Sequence, residues 1–264
     1  MILLSFDVEE FDMPFEYGKS ISFDEQVAIS SKGTGIILEM LKRHQIKATF
    51  FCTANFAISN PSLIKIMVAE GHEVASHGYY HSKFESADLF KSKNTLEAIT
   101  GMPILGYRMA RMMPVDEKEI AKAGYLYNSS INPTWIPGRY NNLNRPRTVF
   151  RQDNVVQLPA SVSPLLRIPL FWLSFHNFPL WFYKSLCLKT YKADRYLNIY
   201  FHPWEFCDLH DKEKFGFPAF VSKNSGEAML KRMEDLILFF KGERLSFSTV
   251  SAFLKANHEV STNP

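Results

Sequence analysis

Residues 47–76 read KATFFCTANFAISNPSLIKIMVAEGHEVAS, and the order of patterns in this stretch points to the fold. Residues 47–52 are β-branched and aromatic, the signature of a short strand. Asn60-Pro61 then opens a helix, an Asn cap followed by Pro at the first helical position. Gly71 stops that helix, and residues 73–76 form the next strand. A strand, a helix and a strand in this order join two parallel strands. The same alternation continues outward. Residues 2–6 are an apolar strand, and 34–44 a helix whose buried face is Ile36, Ile37, Leu38, Met40 and Leu41. Helices are expected over 86–100 and 116–123, and strands over 104–107, 125–127, 155–158 and 197–201. A long helix over 225–241, a strand at 245–247 and a final helix complete the chain. The expected class is α/β, a barrel of about seven parallel strands, with residues 1–264 forming one domain.

Composition supports this and excludes other classes. The 264 residues are 46% apolar and 22% charged, ordinary for a globular protein and unlike disordered or collagenous sequence. Net charge is +3. The densest basic cluster, Arg139, Arg145, Arg147 and Arg151, reads as a solvated loop, so no nucleic-acid partner is expected. Cys52, Cys187 and Cys207 lack paired spacing and are expected to be reduced, as in the cytoplasm. The first ten residues turn acidic at Asp7, unlike a secretory signal. The apolar stretch 168–183 is broken by Pro169, His176 and Pro179, so no spanning helix is expected.

Four candidate groups each follow an expected strand. Asp7-Val8-Glu9-Glu10 ends the first, and residues two apart on an extended strand share a face, which pairs Asp7 with Glu9. His77 and His81 lie four apart, and they converge on one metal ion if their loop opens into a helix. Gly106-Tyr107-Arg108 sets a permanent cation at a strand end, suited to orienting a carboxylate. His202-Pro203-Trp204-Glu205 offers a histidine able to donate a proton near neutral pH.

These segments, in this order, resemble the polysaccharide deacetylase family, the NodB-type esterases of carbohydrate esterase family four, in the branch that opens FDVE. The matching pieces are Ser5-Phe6-Asp7-Val8-Glu9, Ala48-Thr49-Phe50-Phe51, the run Gly71 to His81, Gly106-Tyr107-Arg108, Ala123-Gly124-Tyr125 with Asn128-Ser129-Ser130, and Phe201-His202-Pro203-Trp204-Glu205. The resemblance implies a deformed (β/α) barrel and one divalent metal ion, usually zinc. It implies hydrolysis of an N-acyl group, commonly acetyl, from a sugar or glycan. Asp7 falls at the family's catalytic base, His77 and His81 at its metal ligands, and His202 at its acid. The family's metal-binding aspartate commonly follows the base directly, where this chain has Val8. Glu9 is therefore assigned to the metal, with Asp7 the competing ligand. Arg108 is expected to hold Asp7 ionised, and Tyr107 and Trp204 to touch substrate. Two departures stand out: no proline follows Arg108, and Asn128 replaces the aspartate often found before Ser-Ser.

The aromatic stretch 167–191 lacks an analogue in the shared motifs. It reads either as core or as a surface touching a membrane or the lipid tail of a lipid-linked sugar precursor. Two other functional readings stay open: an amidohydrolase acting on a small non-sugar amide, and a catalytically inactive glycan-binding relative.

Overall fold

The computed structural model describes residues 1–257. Its ten strands are β1 (Ile2–Val8), β2 (Thr49–Cys52), β3 (Glu73–Ser76), β4 (Gly106–Tyr107), β5 (Tyr127–Asn128), β6 (Trp135–Ile136), β7 (Tyr140–Asn141), β8 (Phe150–Gln152), β9 (Val155–Gln157) and β10 (Leu197–Phe201). Eight form one curled sheet in the order β10-β1-β2-β3-β4-β5-β9-β8, and β6–β7 is a separate hairpin. Every pairing from β10 to β9 is parallel; only β8, a hairpin partner of β9, is antiparallel. Seven strands are thus parallel, as the alternation of patterns implies. The two ends of the parallel run meet through a few bonds rather than a strand pair. Ser161 N–H donates to Asn198 O at 2.8 Å, and the Asn198 amide donates to Ser129 Oγ and Pro159 O, each at 3.1 Å. The barrel is deformed at that junction.

All seven residues of β1 are buried, as parallel strands covered on both faces require. Phe6 stacks on Phe50 with ring centroids 5.4 Å apart, and Phe201 and Phe206 close around it. The strand expected at 245–247 is reduced to a single bridge between Ile2 and Phe247.

The first helix is longer than its apolar spacing suggests, running Phe23–Arg43 rather than 34–44. Ser22 caps it by accepting the Glu25 N–H, and Asp24 and Glu25 favour its positive end. Its early inward face is small and polar, with Gln26, Ser30, Gly33 and Thr34 buried, so no hydrophobic periodicity announces it. The backbone of Pro203 lies against Gly33: a Cβ built there would stand 1.9 Å from the Pro203 carbonyl oxygen. That close approach seats the segment after β10 and so places His202.

Stretch 167–191 folds as two helices, Trp172–Asn177 and Leu180–Asp194. Phe175 and Tyr183 are wholly buried, and of the stretch's aromatic rings Trp181 is the one most in solvent. Most of its aromatic side chains are buried in the core or packed against it. No helix among the described residues is long and apolar enough to cross a membrane.

Candidate active site

At the carboxyl ends of β1, β3 and β10 the chain brings Asp7, Glu9, His77, His81, His202 and Trp204 to the wall of one cavity of about 300 Å³. Active sites of parallel barrels are built at that end. Asp7 and Glu9 both face the cavity, as the period of an extended strand predicts. Glu10 turns the other way and accepts from Thr53 Oγ1 and the Asn55 amide.

His77 and His81 converge, although not through a helix. The chain after Ser76 is a turn, with Gly78 at φ 87°, in the left-handed region that glycine adopts without penalty. The next helix starts only at Ala87. The two rings stack at 5.8 Å, tilted by 21°. His77 Nδ1 lies 2.9 Å from the Arg108 carbonyl oxygen, and His81 Nδ1 2.7 Å from Asp12 Oδ1. An oxygen acceptor opposite each Nδ1 means that Nδ1 carries the proton there, so each Nε2 is the atom turned to the site.

Both Nε2 atoms face one oxygen. Glu9 Oε2 is 3.2 Å from His77 Nε2 and 3.1 Å from His81 Nε2, yet it has no hydrogen-bond partner of acceptable geometry and is fully buried. Its sister atom Oε1 accepts from the Trp204 indole at 3.2 Å. Burial pushes the Glu9 carboxyl up, but the imidazoles of His81, His77 and His202 outweigh burial and hold it below the ordinary carboxylate range. For His81, burial lowers the ring, while Glu9 and Asp12 together raise it to about 9. One buried carboxylate oxygen without a donor and two imidazole nitrogens aimed at it form the donor set of a divalent cation. Glu9, rather than Asp7, is the carboxylate in that group.

Asp7 belongs to a different pair. Arg108 Nη1 donates to Asp7 Oδ1 at 2.6 Å and to Ser5 Oγ at 3.0 Å. Its Nε and Nη2 donate to Ser129 O and Oγ, each at 3.1 Å. The guanidinium lies 3.9 Å over the Phe51 ring. So held, Arg108 has no freedom to do anything but orient Asp7.

His202 is set by its own motif. Glu205 Oε1 lies 3.0 Å from His202 Nδ1 and accepts the His202 backbone N–H at 2.6 Å. Glu205 Oε2 meets His176 Nε2 at 2.8 Å. Burial raises the Glu205 carboxyl, and the two histidines more than reverse this. Burial lowers His202, and Glu205, Glu9 and Asp7 more than reverse that, leaving it raised. Trp204 stacks on the His202 ring at 4.6 Å, and Trp172 meets both rings edge-on.

One expectation needs correction. Tyr107 does not line the cavity: its ring is wholly buried against Tyr125, and its hydroxyl donates to Met109 Sδ at 3.0 Å. Asn128 lies away from His202, bonded to Gln157 at 3.0 Å and to Ser130, so it neither supports nor weakens that histidine. The carboxylate in its place is Glu205. Its signal was already in the sequence, since His202 and Glu205 are three apart and Glu205 closes a capping box on the turn Pro203–Phe206. Asp12 and His176 carried no such signal, because each meets its partner only through the fold.

Fold and site define a parallel-barrel protein with a carboxylate–imidazole cluster able to hold a metal ion, flanked by a second carboxylate and a histidine. The model of the polysaccharide deacetylase family matches residues 18–110 of the chain. A 62-residue stretch is 44% identical to the peptidoglycan-N-acetylglucosamine deacetylase PgdA of Listeria monocytogenes, covering 24% of this chain and 13% of that protein. The chain therefore aligns with only a small part of that relative's length. The fold is similar to that of a Mycobacterium smegmatis protein assigned to the polysaccharide deacetylases, at 18% identity and TM-score 0.65 over 100% of this chain and 93% of the other. A Pseudomonas aeruginosa protein of the same assignment gives 14% identity and TM-score 0.69 over 98% and 92%.

Proposed function

We propose that this protein is a hydrolase that removes an N-acetyl group from a sugar or glycan, with one divalent ion, zinc by the two imidazoles among its donors, held by Glu9, His77 and His81. The observation that carries the reading is Glu9 Oε2, buried without a donor between two imidazole Nε2 atoms, beside Asp7–Arg108 and His202–Glu205 in one cavity. A divalent ion bound there supplies a Lewis acid that acidifies water and polarises an acyl carbonyl.

The chain's own residues do the proton work. Arg108 occupies Asp7 Oδ1, so Oδ2 is the atom that takes the proton from the attacking water. Glu205 accepts from His202 Nδ1–H, so the proton given to the departing amine leaves from Nε2. That protonation lets the sugar leave as a neutral amine rather than an amide anion. Asp12 and the Arg108 carbonyl fix the ring orientation of His81 and His77 by the same logic. His81 carries a proton to about pH 9 without a cation, so cation binding releases it and tightens as pH rises.

Glu205 favours an enzyme over an inactive glycan-binding relative, because it supplies the support that Asn128 does not. The finer substrate reading, a lipid-linked precursor met at the cytoplasmic membrane surface, is supported by the exposed apolar side chains Leu165, Leu166 and Trp181. The reading is tested by acetate release from N-acetylated oligosaccharides before and after chelation. Release that stops on chelation and returns with zinc is the expected result. Release unaffected by complete metal removal contradicts it.

A further inference from the structure

A second, larger cavity of about 650 Å³ adjoins the catalytic one. The two share Glu16, Arg111, Met112, Arg139 and Tyr140 as a common wall. The charged residues lining the second cavity are Arg111, Arg139 and Arg145 against Glu16 and Glu117, which leaves a net positive charge. The remaining walls are rich in amides, among them Asn142, Asn144 and Gln152. Each guanidinium presents five donors in a fixed fork, and the carboxylates present use few of them. Arg139 Nη2 reaches Glu16 Oε2 only at 3.3 Å with the side chain 55% exposed, a long distance for a charge-assisted bond. Arg145 spends Nη2 alone on Glu117 and Gln152, at 3.2 and 3.0 Å.

The loop between the cavities is strained. Arg111 and Met112 have φ of 58° and 52°, consecutive left-handed residues with side chains, which the surrounding structure must over-determine. The conformation puts the Arg111 guanidinium 3.0 Å from Asp12 Oδ2, whose other oxygen holds His81, and also in contact with Glu16. This is the segment where the proline expected after Arg108 is missing.

The geometry points to a subsite for an anionic group joined to the N-acetylated residue, either the carboxylate of a flanking uronate or a phosphate on its anomeric carbon, met by Arg139 and Arg145. This rests on the hydrolase reading for what occupies the first cavity, but not for binding in the second. The anion is drawn by charge and by unspent guanidinium donors, and the amides hold the sugar hydroxyls around it.

The test is equilibrium titration of the whole protein with three probes: an N-acetylated disaccharide, the same disaccharide with a uronate in the flanking position, and an N-acetylhexosamine 1-diphosphate. At least one acidic probe is expected to bind about tenfold tighter than the neutral one, the worth of one or two charge-assisted contacts. Whichever acidic probe shows the gain identifies the source of the anion. The gain is expected to shrink in Arg139→Gln and in Arg145→Gln, and in wild type as salt is raised. Arg139 is exposed enough that its variant keeps the fold, checked by its melting curve, and the salt series needs no variant. Equal affinity for all three probes, or a preference untouched by both variants and by salt, overturns the subsite. Acetate release is measured in parallel: acidic preference without hydrolysis overturns only the hydrolase reading, and hydrolysis without preference overturns only the subsite.

Discussion

His202→Ala is expected to lower turnover by about 10²–10⁴ at neutral pH, the ordinary contribution of a positioned general acid. The ring sits at the cavity wall with Nδ1 committed to Glu205 at 3.0 Å, so removing it deletes the only proton aimed from that side by this motif. Glu205→Gln tests the same arm without deleting the acid. Glu205 is the chief support that raises His202 against burial, and an amide cannot replace its charge. A general acid works only while protonated, so activity falls as pH rises through its pKa. The alkaline limb of the pH–rate profile should therefore move to lower pH in Glu205→Gln, with the acid limb unchanged. His202→Ala with wild-type turnover, or Glu205→Gln with an unmoved alkaline limb, removes the acid role.

Arg108→Met is expected to cost about 3–5 kcal/mol of folding stability, as removal of one partner from a buried ion pair does. The guanidinium is wholly buried, pairs with a buried Asp7 and bonds Ser5 and Ser129. Removing it leaves a buried carboxylate whose cation is gone. The double change Arg108→Met with Asp7→Leu removes both charges, so it should recover much of that stability while remaining inactive. Denaturant unfolding of the three proteins checks this. A single variant as stable as wild type would show that the pair carries little of the site's order.

The legible parts of this chain were those governed by local patterns. β1, β2, β3 and β10 are parallel and almost wholly buried, so apolar and small residues dominate them, and polar groups gather at or just after their carboxyl ends. Asp7 and Glu9 could be paired from strand period alone. The joint use of His77 and His81 followed from spacing, although a glycine turn rather than a helix brings them together. The helix Phe23–Arg43 was half hidden because its inward face is small and polar, shaped by the approach of Pro203 to Gly33. The resemblance put Tyr107 at the substrate, but neighbours on an extended strand face opposite ways, and Arg108 is the one turned to Asp7. Asp12 lies 69 residues from His81 and His176 lies 29 from Glu205; contacts that distant are set by the barrel, and no local pattern encodes them.

The central claim, a cation held by Glu9, His77 and His81, is tested most directly by metal content. Protein purified without chelator or histidine tag is analysed by elemental mass spectrometry, wild type beside Glu9→Gln and His81→Ala. Wild type should carry about one divalent ion per chain, the number one such donor set holds, and both variants should lose it while still unfolding cooperatively as folded proteins. Wild type that holds no ion even after zinc is added and the excess removed, or Glu9→Gln that holds it as wild type does, would contradict the account.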